Sequence, residues 1–440
     1  MRLSLTNREI LAIAVPAIVS NITTPLLAMV DTTIVGHLGS ATFIGAIAVG
    51  GSMFNMLYWL FNFLRMGSSG MTAIAYGRGD RHETDSIFYR AVGMALMIGL
   101  AISVLRHPLA AILLDIIDAD EATRSLAADY FIIAVTGAPA TLGVFALSGW
   151  FLGMQDSRTP MWMAIVTNVV NIPVSIILVF GFGMRIEGVA TGSAAAQWSG
   201  LIFGLIVAFI KYRPGRPDFK TIIRADRLRR FFIVNTDIFL RTLCLVTVTV
   251  WFTRAGAEQG VVTLAANALL MQMFLFFSYF MDGFAFAGEA LAGKNAGRGD
   301  SAGLSAVIKA LGRWGTGLAI AFASLYLTCG DLIVSLLTDN AEVIRDCRRY
   351  LLWAAAVPLA GVTAFIWDGI LIGLTRTRLM LLSMAVSMAV FFAIYYLLTD
   401  GLGNHGLWIA FVSYLAVRGI IEYFSYRRHP ARFVRDHTND

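Results

Sequence analysis

The sequence predicts an all-α integral membrane protein whose twelve transmembrane helices form two homologous six-helix lobes around a central cleft. Three observations lead to this fold class: an apolar composition, apolar runs long enough to cross a bilayer, and a repeat relating the two halves of the chain. Of the 440 residues, 58% are hydrophobic and 14% are charged. Soluble domains carry roughly 45–50% apolar and 25% charged residues. A soluble fold could not bury this much apolar surface.

Apolar runs recur along the whole chain, for example within Ser86–Leu105 and Gly188–Ile210. About 20 apolar residues cross a bilayer as one helix. Loops between the runs are mostly short, so we expect one membrane unit without a separate soluble domain. The predicted spans are approximately 9–38, 41–76, 84–106, 122–153, 161–182, 187–211, 228–254, 261–297, 303–328, 341–374, 378–398 and 403–427.

Lysine and arginine in the loops predict the topology. With both termini in the cytoplasm, nearly all the basic loops fall on the cytoplasmic side, as membrane proteins prefer. The other side is acidic or mixed. The net charge of +6 therefore reflects topology, and a nucleic-acid role is unsupported. The basic start runs into a long helix without a small-residue cleavage site, which predicts an uncleaved anchor. We expect a multi-pass protein of a cell (inner) membrane.

An internal repeat divides the chain in two. "GRGD" occurs at Gly77–Asp80 and again at Gly297–Asp300, an offset of 220 residues. Further matches at this offset are Tyr130 with Tyr350, Gly149 with Gly369, Gly153 with Gly373, and Arg158 with Arg378. We therefore predict an N-lobe over 1–210, a basic cytoplasmic linker over 211–227 and a C-lobe over 228–440 that ends in a basic tail. Six helices per half make the copies parallel in topology.

Two such halves are typical of a secondary transporter that works by alternating access. "GEALAGKN" (Gly288–Asn295) lacks the Ser or Thr of a phosphate-binding loop and follows a helix instead of a strand, so nucleotide hydrolysis is not expected. Three cysteines without ligand spacing predict neither a disulfide framework nor a metal site, and no cofactor is implied. The pairs Gly149/Gly153, Gly188/Gly192, Gly200/Gly204 and Gly369/Gly373 predict close helix contacts.

Asp31 interrupts the uncharged run "LLAMVDTTIVGHLG" in predicted helix 1. A charge inside a bilayer costs about 2.5–3.5 kcal/mol on insertion scales. Pro16 and Pro25 lie in the same helix and remove backbone donors, which favours a bend. Because burial disfavours the charged form, Asp31 could take a proton from one side and release it to the other. A structural hydrogen-bonding role for Asp31 is the alternative.

Several segments together resemble the multidrug and toxic compound extrusion (MATE) family. They are "MVDTTIVGHLG", the two "GRGD" turns, "GWFLGMQDSRTP" and "FIWDGILIGLTRTR". "SYFMDGFAFAGEALAGKNAGRGD" most resembles the DinF-like branch. The resemblance covers essentially the whole chain.

The resemblance implies cation-coupled antiport, in which protons or sodium ions enter while amphipathic or cationic organic compounds leave. Asp31 matches the acidic residue that binds the coupling ion, and Pro16 matches the proline at which helix 1 bends. Tyr130, Asn171 and Thr191 are the matching polar partners. The family commonly has a second acid four positions after this asparagine, where the present chain has Ser175. Proton coupling is therefore preferred over sodium coupling.

The second half supplies further candidates. Asp282 on helix 8 is a candidate for lining the cleft, and Asp368 on helix 10 requires an interhelix partner, an ion or a substrate. Asp237 and Arg241 are four residues apart, which favours mutual neutralisation. Met53 and Met273 lie on helices 2 and 8, which correspond in the repeat, and thioethers suit a promiscuous pocket.

Three other functional classes compete with a drug transporter. A flippase for a lipid-linked saccharide or lipid precursor would need several cavity arginines, for which Arg65, Arg241 and Arg418 are the candidates within spans. A membrane enzyme would need a nucleophile with a base or a metal cluster, whereas the histidines lie at helix ends, loops or the tail. A structural protein would tolerate neutralisation of Asp31. We expect a monomer whose partners are organic cations or amphipathic drugs, protons or sodium ions, and lipids.

Overall fold

The computed structural model describes residues 4–36, 41–117, 121–217 and 224–428. Residues 218–223 of the predicted linker and 429–440 of the predicted tail lie outside this part of the chain. The α-helices of the described residues are α1 (Leu5–Gly36), α2 (Ala41–Leu60), α3 (Phe63–Arg78), α4 (Arg81–Val104), α5 (Arg106–Ile116), α6 (Glu121–Ala134), α7 (Ala138–Gly153), α8 (Arg158–Ile176), α9 (Ile186–Val207), α10 (Ala225–Glu258), α11 (Val261–Gly297), α12 (Ser301–Leu337), α13 (Ala341–Gly373), α14 (Thr377–Leu402) and α15 (Asn404–Arg428).

The described residues contain 11 helical stretches long and apolar enough to cross a membrane. They run from Thr42–Arg78 to Asn404–Arg428, and α1 adds a further helix of 32 residues. A helix rises about 1.5 Å per residue, so each stretch can span the hydrocarbon core. The predicted all-α membrane fold class is confirmed.

Contacts divide the chain into two compact units. The first unit is Pro16–Asn235, and the second unit is Met1–Val15 together with Thr236–Asp440. The boundary inside α1 falls at Pro16, which lacks the backbone N–H that would bond one turn back. The first turns of α1 therefore group with the second unit, while the rest of α1, including Asp31, belongs to the first.

Helix positions repeat between the two halves at the offset seen in the sequence. The starts of α1 and α10, α2 and α11, α4 and α12, and α6 and α13 are each 220 residues apart. The "GRGD" turns have the same local structure twice. Gly79 and Gly299 adopt φ angles of +72° and +70°, which only glycine accepts at low cost, and Asp80 and Asp300 each accept a backbone N–H of the next helix.

Two glycines in each half bring a corresponding pair of helices into close contact, α3 with α7 in the first half and α11 with α13 in the second. A Cβ atom at Gly149 would lie 2.1 Å from the Arg65 carbonyl oxygen, and one at Gly369 would lie 2.2 Å from that of Ala285. One turn further, Gly153 approaches Ser69, and Gly373 approaches Glu289. Such close backbone approach is the use of small residues that the spacing predicts.

The first half contains helix irregularities that do not recur in the described residues of the second half. The predicted loop 107–121 instead contains α5, because Pro108 is tolerated in the first turn of a new helix but would break a continuing one. Predicted span 41–76 is interrupted at Phe61 and Asn62, whose N–H groups bond three residues back. Short π-helical turns also close α8 and α9, at Ile177–Gly181 and Ala208–Tyr212. In the second half, α11 and α12 run unbroken.

The start of the linker is bound to the first unit through Asp156, in the turn between α7 and α8. The carboxylate accepts hydrogen bonds from Lys211 Nζ at 2.7 Å and Tyr212 OH at 2.8 Å, and from Thr159. Burial alone would raise the pKa of Asp156, but these hydrogen bonds outweigh it and hold the pKa below its ordinary value. Asp156 is therefore a charged anchor for residues 211 and 212.

Candidate functional site

Asp31 lies in the interior of the first unit, with 4% of its surface exposed. It sits on α1, whose continuous helix carries both Pro16 and Pro25 upstream of the carboxylate. No basic side chain pairs with Asp31 among the described residues. Its surroundings therefore solvate it with neutral polar groups.

A chain of hydrogen bonds runs from α8 through α9 to this carboxylate. Asn171 Nδ2 donates to Ser193 Oγ at 3.1 Å, and Ser193 Oγ donates to Asp31 Oδ2 at 2.9 Å. The other carboxylate oxygen, Oδ1, is buried without a hydrogen-bond partner within the described ranges. Buried polar atoms are normally satisfied, so Oδ1 is the atom at which a proton or cation can be bound.

Tyr130 is buried beside this chain and is close enough to interact electrostatically with Asp31. Gly50 makes room for its ring, since a Cβ atom there would lie 2.5 Å from Tyr130 Cδ1. Thr191, the predicted helix-6 partner of Asp31, directs its hydroxyl to its own helix. Its hydroxyl donates to the Glu187 carbonyl oxygen of its own helix at 2.8 Å. Ser193, two residues later, makes the contact with Asp31, and sequence reasoning did not identify it.

Ser175, where the resemblance led us to look for a second acid, is fully buried against α9. A Cβ atom at Gly192 would lie 2.1 Å from Ser175 Oγ. The space at this position is filled by the serine and the adjacent helix. Asp31 is therefore the carboxylate of this cluster, and its partners Ser193, Asn171 and Tyr130 are neutral.

A second buried polar cluster lies in the second unit around Asp368. Arg241 Nη2 on α10 pairs with Asp368 Oδ2, and Arg418 Nη2 on α15 reaches the same oxygen at 3.4 Å. Asp368 thus has interhelix partners. The expected pairing of Arg241 with Asp237 is wrong, because Asp237 Oδ2 instead accepts a hydrogen bond from Thr377 Oγ1 at 2.8 Å.

The remaining candidates of the sequence are Met53, Met273 and Asp282. Met53 and Met273 are 0% and 3% exposed, so the structure places both thioethers inside the cores of their units. Asp282 is half-buried on α11 and interacts electrostatically with Tyr279. Within the described residues, no group of three or more histidine, cysteine, aspartate or glutamate side chains could hold a metal ion.

Comparison with known proteins gives concordant matches. The sequence model of the MatE family matches residues 16–177 and 237–397. The chain is 36% identical to DNA damage-inducible protein F of Escherichia coli K12 over 429 residues, which cover 97% of this chain and 93% of that protein. It is 24% identical to multidrug resistance protein MdtK of Edwardsiella ictaluri, covering 94% and 93% of the two chains.

Solved structures agree with this assignment at the level of the fold. A transporter described as MATE in the bent conformation superposes with a TM-score of 0.86 at 16% identity, over 99% of this chain and 97% of that one. The Vibrio cholerae MATE transporter VcmN in its bent form superposes with the same TM-score and identity, over 99% and 98%. The chain therefore belongs to the MATE family of membrane transporters, within its DinF-like branch.

Proposed function

We propose that this protein is a proton-coupled antiporter of a cell (inner) membrane, with both termini cytoplasmic, that exports amphipathic or cationic organic compounds by alternating access. The single observation that carries the proposal is the buried carboxylate of Asp31 with one oxygen unpartnered within the described residues. Membership of a transporter family supports transport as the activity, and the relative named multidrug resistance protein MdtK supports organic compounds as the substrates.

The surroundings of Asp31 favour a proton over a sodium ion. Hard cations are bound by several oxygen ligands at once. The Asp31 cluster has one carboxylate, because Ser175 fills the position of a second. A proton needs only one oxygen, and Asp31 Oδ1 provides it.

Proton binding can act on helix α1 through its prolines. Protonation of Asp31 weakens the hydrogen bond that the Ser193 hydroxyl donates at 2.9 Å from α9 to α1, because a neutral acceptor binds a donor less strongly than a charged one. Pro16 and Pro25 lower the cost of bending the released helix. In this mechanism, protonation from outside reshapes the substrate side of the first unit and expels the compound. Loss of the proton to the cytoplasm resets the helix.

The flippase alternative has less support in the second unit. Arg241 and Arg418 both lie against the carboxylate of Asp368, so each guanidinium group already has a protein partner. A site for a pyrophosphate-linked lipid would need cavity arginines that are available to the ligand. Organic cations are the substrate class that the buried acid of the first unit suits better.

Transport in proteoliposomes tests the proposal. Purified protein is reconstituted, and movement of a cationic dye is followed under an imposed proton gradient and then under a sodium gradient. We expect dye efflux with the proton gradient alone and its loss in Asp31→Asn. Asp115→Asn is the matched control, because Asp115 is 69% exposed and pairs only at the surface with Arg124. Efflux driven by sodium, or unchanged efflux in Asp31→Asn, would overturn the proposed coupling.

A further inference from the structure

We propose that Glu422, on α15 of the second unit, is a proton-binding residue, and that its deprotonation transfers Arg418 from Asp368 to Glu422. As a step of transport this inference rests on the proposed antiport, whereas proton binding is tested apart from transport. The structural basis is a fully buried carboxyl group at the edge of the Asp368 cluster, with 0% of its surface exposed.

Burial leaves the carboxyl group of Glu422 poorly solvated. Oε2 has no hydrogen-bond partner within the described residues, and Oε1 contacts Ser383 Oγ at 2.7 Å. The charged groups around Glu422 come from three helices: Arg241 on α10, Asp368 on α13, and Arg418 on its own helix. Both guanidinium Nη2 atoms are directed to Asp368 Oδ2 rather than to Glu422. A buried carboxylate without a direct counter-ion is strongly disfavoured relative to the neutral acid.

Ser383 is the hydrogen-bonding neighbour of Glu422. Its Oγ lies 2.9 Å from the Met380 carbonyl oxygen and donates to Glu422 Oε1 at 2.7 Å. A serine hydroxyl has one proton, which these two acceptors must share. Ser383 therefore offers a charged Glu422 at most one hydrogen bond, and Oε2 has none within the described residues.

The charge balance of the cluster gives the reason for Arg418 to change its partner when Glu422 loses its proton. With Glu422 neutral, Arg241 and Arg418 face the single negative charge of Asp368, so one positive charge is in excess. Deprotonated Glu422 would bring the cluster to neutrality. Glu422 follows Arg418 by four residues on the same helix, a spacing at which side chains pair without backbone movement. Arg418 is also the more distant of the two arginines, at 3.4 Å from Asp368, and the Nε atoms of both arginines lack a hydrogen-bond partner among the described residues.

Infrared difference spectroscopy of the full chain in lipid nanodiscs tests proton binding. We expect a carbonyl band of a protonated carboxylic acid in acidic buffer that disappears in alkaline buffer. Glu422→Gln should remove this band, and Ser383→Ala should shift its position because the carboxyl group loses its hydrogen-bonding neighbour. Glu258→Gln is the matched control, since Glu258 is 57% exposed and pairs with Arg254 on its own helix. A band that is unchanged in both Glu422→Gln and Ser383→Ala overturns the inference, and the serine variant decides it if the glutamine variant does not fold.

The transfer of Arg418 has its own test. Asp368→Asn removes the charge that holds Arg418, so Arg418 should pair with Glu422 and the carbonyl band should be lost at a pH where the wild type keeps it. A band that is kept at the same pH would contradict the transfer. These measurements require no transport. A Glu422 band in a protein that moves no dye under any gradient would overturn the proposed antiport alone, and proton-driven efflux without a Glu422 band would overturn the present inference alone.

Discussion

Substituting Gly369 by alanine tests whether the close crossing of α11 and α13 is as tight as the structure has it. The added Cβ atom would lie 2.2 Å from the Ala285 carbonyl oxygen and 2.7 Å from the Ala285 Cα and carbonyl carbon atoms. All three neighbours are backbone atoms, which cannot rotate away. Ordinary carbon–oxygen contacts are about 3.3–3.6 Å. The two helices must therefore separate locally by about 1 Å.

The free energy of unfolding should fall. Overpacking a well-packed interior costs about 1–3 kcal/mol. Replacing glycine by alanine inside a helix returns roughly 0.5–1 kcal/mol of that cost through helix propensity. We therefore expect Gly369→Ala to lower the free energy of unfolding by about 1–2 kcal/mol. Gly312→Ala on α12 should have the opposite sign, because nothing lies within 4 Å of its Cβ position and only the propensity gain remains.

The assay is equilibrium unfolding of the purified protein in mixed detergent micelles, with the denaturing detergent as the variable. Both variants and the wild type are measured in parallel. If Gly369→Ala is as stable as the wild type, the helices do not approach as closely as described. If Gly312→Ala is destabilised equally, the loss reflects a general intolerance of alanine rather than the crossing.

Further expectations concern a turn, the Asp156 anchor and the Asp31 cluster. Gly299→Ala should lower the free energy of unfolding by about 1–2 kcal/mol in the same titration, because the residue adopts φ +70°. Because the pKa of Asp156 is below its ordinary value of 3.8, this carboxylate stabilises the fold above that pH and ceases to do so as the pH falls through the folded-state pKa. Asp156→Asn should therefore lower the thermal midpoint at neutral pH, and the two midpoints should converge in strong acid; parallel curves would contradict this. Ser193→Ala should reduce proton-driven dye efflux, whereas Thr191→Ala should leave it near wild type; equal effects would argue against the hydrogen bond to Asp31 as the relevant contact.

The helical membrane architecture was accessible from the sequence because each apolar run is long enough to decide its own structure. The "GRGD" turns were accessible for a similar reason, since glycine and a capping aspartate act within four residues. The helix α5 was missed because its 11 residues are too few to register as a span. Local composition thus predicts those helices and turns whose own residues are sufficient to determine their structure.

The clusters were harder to predict because they depend on how helices are rotated about their axes. Neighbouring helix residues lie about 100° apart, so the two-residue step from Thr191 to Ser193 moves a hydroxyl to nearly the opposite side of α9. The spacing of Asp237 and Arg241 suggested a pair within one helix, worth only about 0.2–0.5 kcal/mol. The partner that Arg241 takes, Asp368, lies 127 residues away, and no local pattern reveals that distance.

The uneven distribution of helix irregularities gives the two copies of the repeat different mechanical properties. Every interruption, from the turn at Phe61 and Asn62 to the π-helical ends of α8 and α9, removes regular hydrogen bonds and lets a helix flex at a defined point. The long unbroken rods α11 and α12 offer few such points in the described residues. After duplication, the two halves have therefore kept the same order of helices but diverged in helix regularity, and the half that holds Asp31 is the less regular one.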